Sequence, residues 1–215
     1  MRQRFSGLII LFFIVFVSSP GQQFFNSPYS RFGLGQINDG GFASNLAMGG
    51  LTAGYRVKNT INYLNPASYT AIDTLSFIFD AGLQSGFLKV TSDNGKNTSK
   101  MLYLDHLAML FPLSRWCGVS MGIVPFSRAG YELLGTVNDS AYKYIYSGNG
   151  GISQFYIGSA VRIGKHISIG LNFSYLFGPV ERSRTVILND EYAAITKYNY
   201  KGNINNIFFN YGIQY

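Results

Sequence analysis

The chain has 215 residues, of which 47% are hydrophobic, 16% aromatic and only 13% charged, about half the charged fraction of a soluble domain. Its 17 Lys+Arg against 10 Asp+Glu give a net charge of +7 spread along the chain, part of it at the amino terminus. No basic cluster with interleaved aromatics falls on a helix, which argues against nucleic acid, while a mildly basic exterior suits anionic lipid headgroups.

Arg2 and Arg4 precede an unbroken apolar run from Leu8 to Val17, and small residues follow at Ser18, Ser19 and Gly21. That is the layout of a secretory signal peptide over residues 1–21, with cleavage near Gly21–Gln22. The run is about half the roughly 20 residues a membrane-spanning helix needs, and no later stretch is long and apolar enough to span as one. Export leaves a mature chain of about 190 residues, enough for one domain. Residues 22–72 are rich in Gly, Ser and Asn and hold no sustained period. Turn signals at Gly49-Gly50 and Asn65-Pro66-Ala67 make this segment an irregular cap or plug.

From Thr74 a period of two takes over, the mark of strands with one apolar face. Leu75, Phe77, Phe79, Ala81, Leu83 and Phe87 alternate with Ser76, Asp80, Gly82, Gln84 and Gly86, and Asp93-Asn94-Gly95-Lys96 signals a turn. Cys117, Val119, Met121 and Ile123 alternate with Gly118, Ser120 and Gly122; the lone cysteine allows no internal disulfide and reads as a small buried thiol. Phe155, Ile157, Val161 and Ile163 alternate with Gln154, Gly158, Ala160 and Arg162. The clearest run is Ile167, Ile169, Leu171, Phe173, Tyr175 and Phe177 against Ser168, Gly170, Asn172 and Ser174. Ile207, Phe209, Tyr211, Ile213 and Tyr215 close the series.

These runs approach the roughly 9–11 residues of a tilted membrane strand. Six to eight strands fit between residues 74 and 215. Ile163 and Ile167 must face the same way, so Gly164, Lys165 and His166 form a three-residue connection. The segments 134–150 and 178–203 read as long polar extracellular loops. Residues 73–215 are therefore expected to form an antiparallel transmembrane β-barrel in the outer membrane of a Gram-negative bacterium. Met101–Leu113 breaks the rule. Leu102, Leu104, Ala108 and Leu110 share one face and Tyr103, Leu107, Met109, Phe111 and Leu113 the other, which implies contact with the plug or a lumen that accepts greasy cargo. Asp80, Leu104, Ala108 and Arg162 are the expected lumen-lining residues.

Little points to catalysis. Asp105-His106 is tempting beside Ser114 or Ser120, but neighbours on a strand face opposite ways and should not converge. No Gly-x-Ser-x-Gly elbow exists, and the only two histidines, His106 and His166, lack metal-ligand spacing. Gly49-Gly50 and Gly148–Gly151 lack the strand–loop–helix context of a phosphate loop. No enzyme, cofactor or metal is expected.

Leu46-Ala47-Met48-Gly49-Gly50, Thr52-Ala53-Gly54 and Asn59-Thr60-Ile61-Asn62-Tyr63-Leu64-Asn65-Pro66-Ala67 resemble the amino-terminal signature of the FadL/TodX outer-membrane transporters, including the Asn-Pro-Ala box before the first strand. Ser27-Pro28-Tyr29-Ser30-Arg31-Phe32-Gly33 and Gly148-Asn149-Gly150-Gly151 look like a Bacteroidetes branch. The resemblance implies a barrel of about fourteen strands with an amino-terminal hatch around Asn65, Pro66 and Ala67. It also implies a lateral opening in the wall and passive movement of hydrophobic compounds such as long-chain fatty acids or aromatic hydrocarbons. Val57, Lys58 and Asn59 stand where the family carries an acidic pair, and no carboxylate site transfers. A wall of eight strands is filled by its own side chains, so a hatch of this size implies either that the chain is an amino-terminal piece of a larger barrel, the favoured expectation, or that the plug lies outside the barrel. The alternative implied by the related PorV branch is a non-transporting barrel that scaffolds type IX secretion proteins. Expected partners are outer-membrane lipids with hydrophobic small molecules, or secretion-system proteins.

Overall fold

The computed structural model describes residues 27–38, 41–92, 95–136, 142–188 and 195–215. The expected signal peptide and the Asp93-Asn94 turn lie outside these residues. After a 3-10 turn at Pro28–Arg31 come β1 (Gln36–Ile37), α1 (Ala43–Ala47) and a second 3-10 turn, Pro66–Ala71. Six long strands follow: β2 (Ile78–Ser92), β3 (Gly95–Ser114), β4 (Cys117–Thr136), β5 (Tyr142–Ile163), β6 (Ile167–Leu188) and β7 (Thr196–Gln214). They form an antiparallel meander in the order β2-β3-β4-β5-β6-β7, with β1 added beside β4. The sheet is not closed, because β2 and β7 do not pair.

Ile163 pairs with Ile167 across Gly164, Lys165 and His166, the expected three-residue connection. Gly164 supplies its left-handed residue (φ 63°), which a side chain would resist. Strand length departs from expectation. β5 and β6 each run 22 residues, about 70 Å of strand, far more than an apolar band of about 25 Å needs even with tilt. Much of what reads as polar loop, 134–150 and 178–203, is strand. Ladder hydrogen bonds continue where the apolar alternation stops, for example from Gly148↔Arg182 to Tyr142↔Leu188.

The polarity of the sheet is inverted relative to a soluble protein. On β6, Leu171 is 52% and Phe173 41% exposed, whereas Asn172 and Ser174, which follow them in turn, are fully buried. β5 repeats this, with Phe155 and Ile157 exposed and Gln154, Tyr156, Gly158 and Ala160 buried. The amino-terminal segment causes the burial. Its second 3-10 turn touches β4, β5, β6 and β7, so the sheet wraps around it. Phe42, Ile61, Tyr63 and Tyr69 from this segment form one buried cluster with Ala108, Leu110, Val124, Tyr156 and Ala160 of the wall.

Two bulges re-aim side chains. Gly82 pairs with His106 but Leu83 with Leu104, so Asp105 is the extra residue on β3. This splits the face read as continuous. Leu104 is 54% exposed on the outer surface, so it does not line an interior, whereas Ala108 is buried on the inner one. The oily interior expected along Leu102–Leu110 therefore dissolves: Leu102 and Leu104 lie outside, Ala108 and Leu110 inside. A second bulge at Phe126 on β4 brings Ser127, Ala129 and Tyr131 to the inner face. Cys117, expected to be buried, is only partly covered.

Candidate functional site

The inner face is built to receive backbone. Gly118 on β4, Gly170 on β6 and Gly212 on β7 each stand where a Cβ would collide with the amino-terminal segment: with the Tyr69 carbonyl, the Pro66–Ala67 peptide and the Asn65 side chain respectively. Their missing side chains let Asn65-Pro66-Ala67 lie directly on the wall. Asn65 caps the 3-10 turn, its Oδ1 accepting from the Ala67 amide at 3.3 Å while its Nδ2 donates to the Ala53 carbonyl at 2.7 Å. Pro66 fits the first turn because its missing N–H has no acceptor to serve there. All three residues are buried.

Polar side chains of the wall then bind this segment. Asn172, fully buried, accepts from the Tyr69 hydroxyl at 3.0 Å and donates to the Tyr63 carbonyl at 2.7 Å. It lies across Gly158, where any Cβ would strike its Oδ1. Ser168 and Thr70 hydroxyls meet at 2.8 Å. Gln214 donates to the Ala53 and Tyr55 carbonyls and accepts from Arg56 at 2.9 Å. Arg56 also donates to the Ala67 carbonyl and to Thr70 Oγ1. Burial, helped by the nearby Arg162 guanidinium, lowers the Arg56 pKa. Arg162 on β5 donates to the Thr70 carbonyl. Burial raises the Tyr69 phenol well above its ordinary value, so it stays a neutral donor to Asn172.

A charged cluster lies at the seam between β3 and β4. Their pairing begins at the Ser114–Cys117 hairpin and ends at Leu107↔Ile123; beyond it β1 pairs with β4 instead, at Gln36↔Arg128 and Ile37↔Ser127. Just past that point Arg128 crosses to Asp105 at 3.3 Å and stacks on Tyr103 at 3.7 Å. The bulge turns Asp105 and His106 to the same side, contrary to the simple alternation rule. Both are buried, with His106 Nδ1 2.9 Å from Asp105 Oδ2. Its Nε2 is 3.3 Å from Asp80 Oδ1, close enough for an ion pair though not aligned as a hydrogen bond. Phe42 stacks on the imidazole at 3.6 Å and 6°, and Gly82 leaves room for the ring. Asp105 and His106 are enclosed while the Asp80 side chain is 40% exposed, and two carboxylates with one guanidinium and one imidazolium would sum to zero charge.

Asn65, Pro66, Ala67, Ala108 and Arg162 thus gather around the docked amino-terminal segment, and Asp80 joins the seam cluster. Leu104 joins neither. Ser120, a nominal nucleophile, donates to the Met109 carbonyl at 2.9 Å and shares a contact with the Tyr156 hydroxyl at 3.1 Å. Asn172, Arg56 and Gln214 were not singled out by sequence reasoning, although Asn172 stands on the polar side of the clearest alternation. No group of three or more potential metal ligands occurs among the described residues.

A family model described as BamG matches residues 1–215. The chain belongs to the BamG family. No curated protein and no solved structure matches it. This BamG-family chain is thus all-β, with an open antiparallel sheet holding an amino-terminal segment against its inner face.

Proposed function

We propose that this BamG-family chain forms the wall of an outer-membrane β-barrel, that its amino-terminal segment is a hatch, and that it moves hydrophobic compounds passively across the membrane. The observation that carries the reading is the inverted polarity: Leu171 and Phe173 open outward while Asn172 and Ser174 close on the hatch. A contiguous apolar exterior of this kind needs a non-aqueous partner. The family name suggests an outer-membrane-associated, β-rich protein, which supports that location. The sequence resemblance to FadL/TodX transporters, such as those for long-chain fatty acids, supports the cargo class. The break in pairing between β3 and β4, occupied by Gln36–Ile37, is a natural place for a lateral opening. In this reading the chain is not an enzyme, and Asp105–His106 is a contact between wall and hatch.

Cysteines at Thr70 and Ser168, whose hydroxyls are 2.8 Å apart, should test hatch movement in a Cys117→Ser background. Uptake of a labelled long-chain fatty acid into proteoliposomes should fall on oxidation and return on reduction. Uptake no faster than in protein-free liposomes would contradict transport. A second reading, a scaffold for secretion-system proteins, draws support from the polar strand extensions and from the unpaired β2 and β7 edges. It predicts co-purification of such a protein partner together with no uptake.

A further inference from the structure

The polar half of the sheet carries a cluster of three arginines. Arg31 comes from the amino-terminal 3-10 turn, and Arg182 and Arg184 from β6. All three line one concavity of about 350 Å³, together with Phe32, Tyr146 and Tyr200. The Tyr146 ring lies 4.5 Å from the Arg31 guanidinium and 5.6 Å from that of Arg184, so two cations approach one aromatic ring. Arg184 also sits 4.7 Å over Tyr144. Arg182 donates to the Gly33 carbonyl. Among the described residues none of the three pairs with an acidic group; the nearby Glu181 is taken by Lys201 at 2.7 Å. Three like charges around one hollow repel each other unless an anion enters.

The surroundings are arranged for access. Phe32 and Tyr200 are each 72% exposed and line the same concavity as the cations instead of packing into a core. Gly148, opposite Arg182 on β5, is a glycine because Tyr131 fills the space where its Cβ would be. Ser27 and Ser30 pin the Arg31 turn to Gly130 of β4, through the Ser27 amide at 2.8 Å and the Ser30 hydroxyl at 2.9 Å. Arg31 is thus presented by an anchored turn and not by a wandering side chain.

We infer that Arg31, Arg182 and Arg184 form a binding site for a phosphate monoester whose apolar or planar body rests on Phe32, Tyr146 and Tyr200. The planar guanidinium fork matches phosphate oxygens in pairs, and three of them suit a dianion better than a carboxylate. The aromatic faces supply stacking area beside the charge. The site spans the amino-terminal segment and the wall, so an occupant would tie the two together; it does not rest on the transport reading. The same group could arrive on a lipid or on a soluble ester.

Calorimetric titration of the full chain at low salt separates these sources. Inorganic phosphate and phenyl phosphate are added to the detergent-solubilised chain, and nanodiscs containing phosphatidate are compared with phosphatidylcholine alone. Saturable binding of phenyl phosphate would assign a soluble ester, and binding confined to phosphatidate a lipid. In either case R182Q/R184Q should weaken binding by about tenfold or more, the ordinary loss when a charge-assisted bond is removed. Lys143→Gln, on the opposite face of β5, should leave it unchanged. R182Q alone reads the same test if the double variant does not fold. No saturable binding of any probe, or equal binding by wild type and variant, would overturn the site.

Discussion

Each long strand has two halves that live by different rules. In the half containing Ile167–Phe177 of β6 and Phe155–Ile163 of β5, the outer face is apolar and open, and the inner face is small, polar and closed over the amino-terminal segment. In the half containing Val180–Leu188 and Thr196–Asn206 the ladder continues, but the outer face carries Lys143, Glu181, Lys197 and Lys201, and the inner face carries arginine and tyrosine. Hydrogen bonding is the same in both; only the surroundings the side chains were chosen for differ. Strand formation and an apolar outer face are therefore separate properties of one element.

The contrast can be broken most severely where the amino-terminal segment sits on the wall. Gly170→Leu drives a side chain into the Pro66–Ala67 peptide and should destabilise the chain by about 3 kcal/mol or more. The urea midpoint of the chain in detergent measures it, and proteolysis of the amino-terminal segment should accelerate. Gly202→Leu, in the polar half with no crowding beyond ordinary contact, should be mild in the same assay.

Phe173→Arg places a charge on the open apolar face and should cost about 2–3 kcal/mol in a bilayer, read from refolding into liposomes. Asn172→Ala removes the links to Tyr69 and Tyr63 and leaves their groups to find other partners, a loss of about 1–2 kcal/mol by the same measurement. The smallest effect sharpens the comparison from the other side. Ser183→Arg, on the outer face of the polar half, should change stability by less than about 0.5 kcal/mol. A penalty there as large as at Phe173 would mean that apolar surroundings extend along the whole strand.

Much of the apolar half is legible in sequence because side-chain period and backbone period coincide there. Ile167–Phe177 alternates without needing any knowledge of its neighbours, and the Ile163–Ile167 connection follows from matching faces. Asn65-Pro66-Ala67 is legible as a turn for a local reason, since asparagine caps and proline starts a 3-10 turn. What is hidden depends on the partner strand. The extra residue at Asp105 can be located only against β2, so Leu104 and Ala108 look equivalent while lying on opposite faces. The same bulge makes Asp105 and His106 neighbours on one side. The polar strand extensions are hidden for another reason: Gly178–Leu188 has no apolar alternation, and its strand state comes from pairing with β5 and β7. The hydrogen bonds of Asn172 to the amino-terminal segment depend on the positions of Tyr63 and Tyr69, which no local pattern supplies.

The central claim is that lipid covers the outer face of the apolar half. Spin labels at Leu171, Asn172 and Ser183, each introduced singly as cysteine in a Cys117→Ser chain reconstituted in bilayers, test it through collision with oxygen and with a water-soluble nickel complex. The account predicts high oxygen and low nickel accessibility at Leu171, little of either at Asn172 and high nickel accessibility at Ser183. Free access of nickel to the Leu171 label would contradict it.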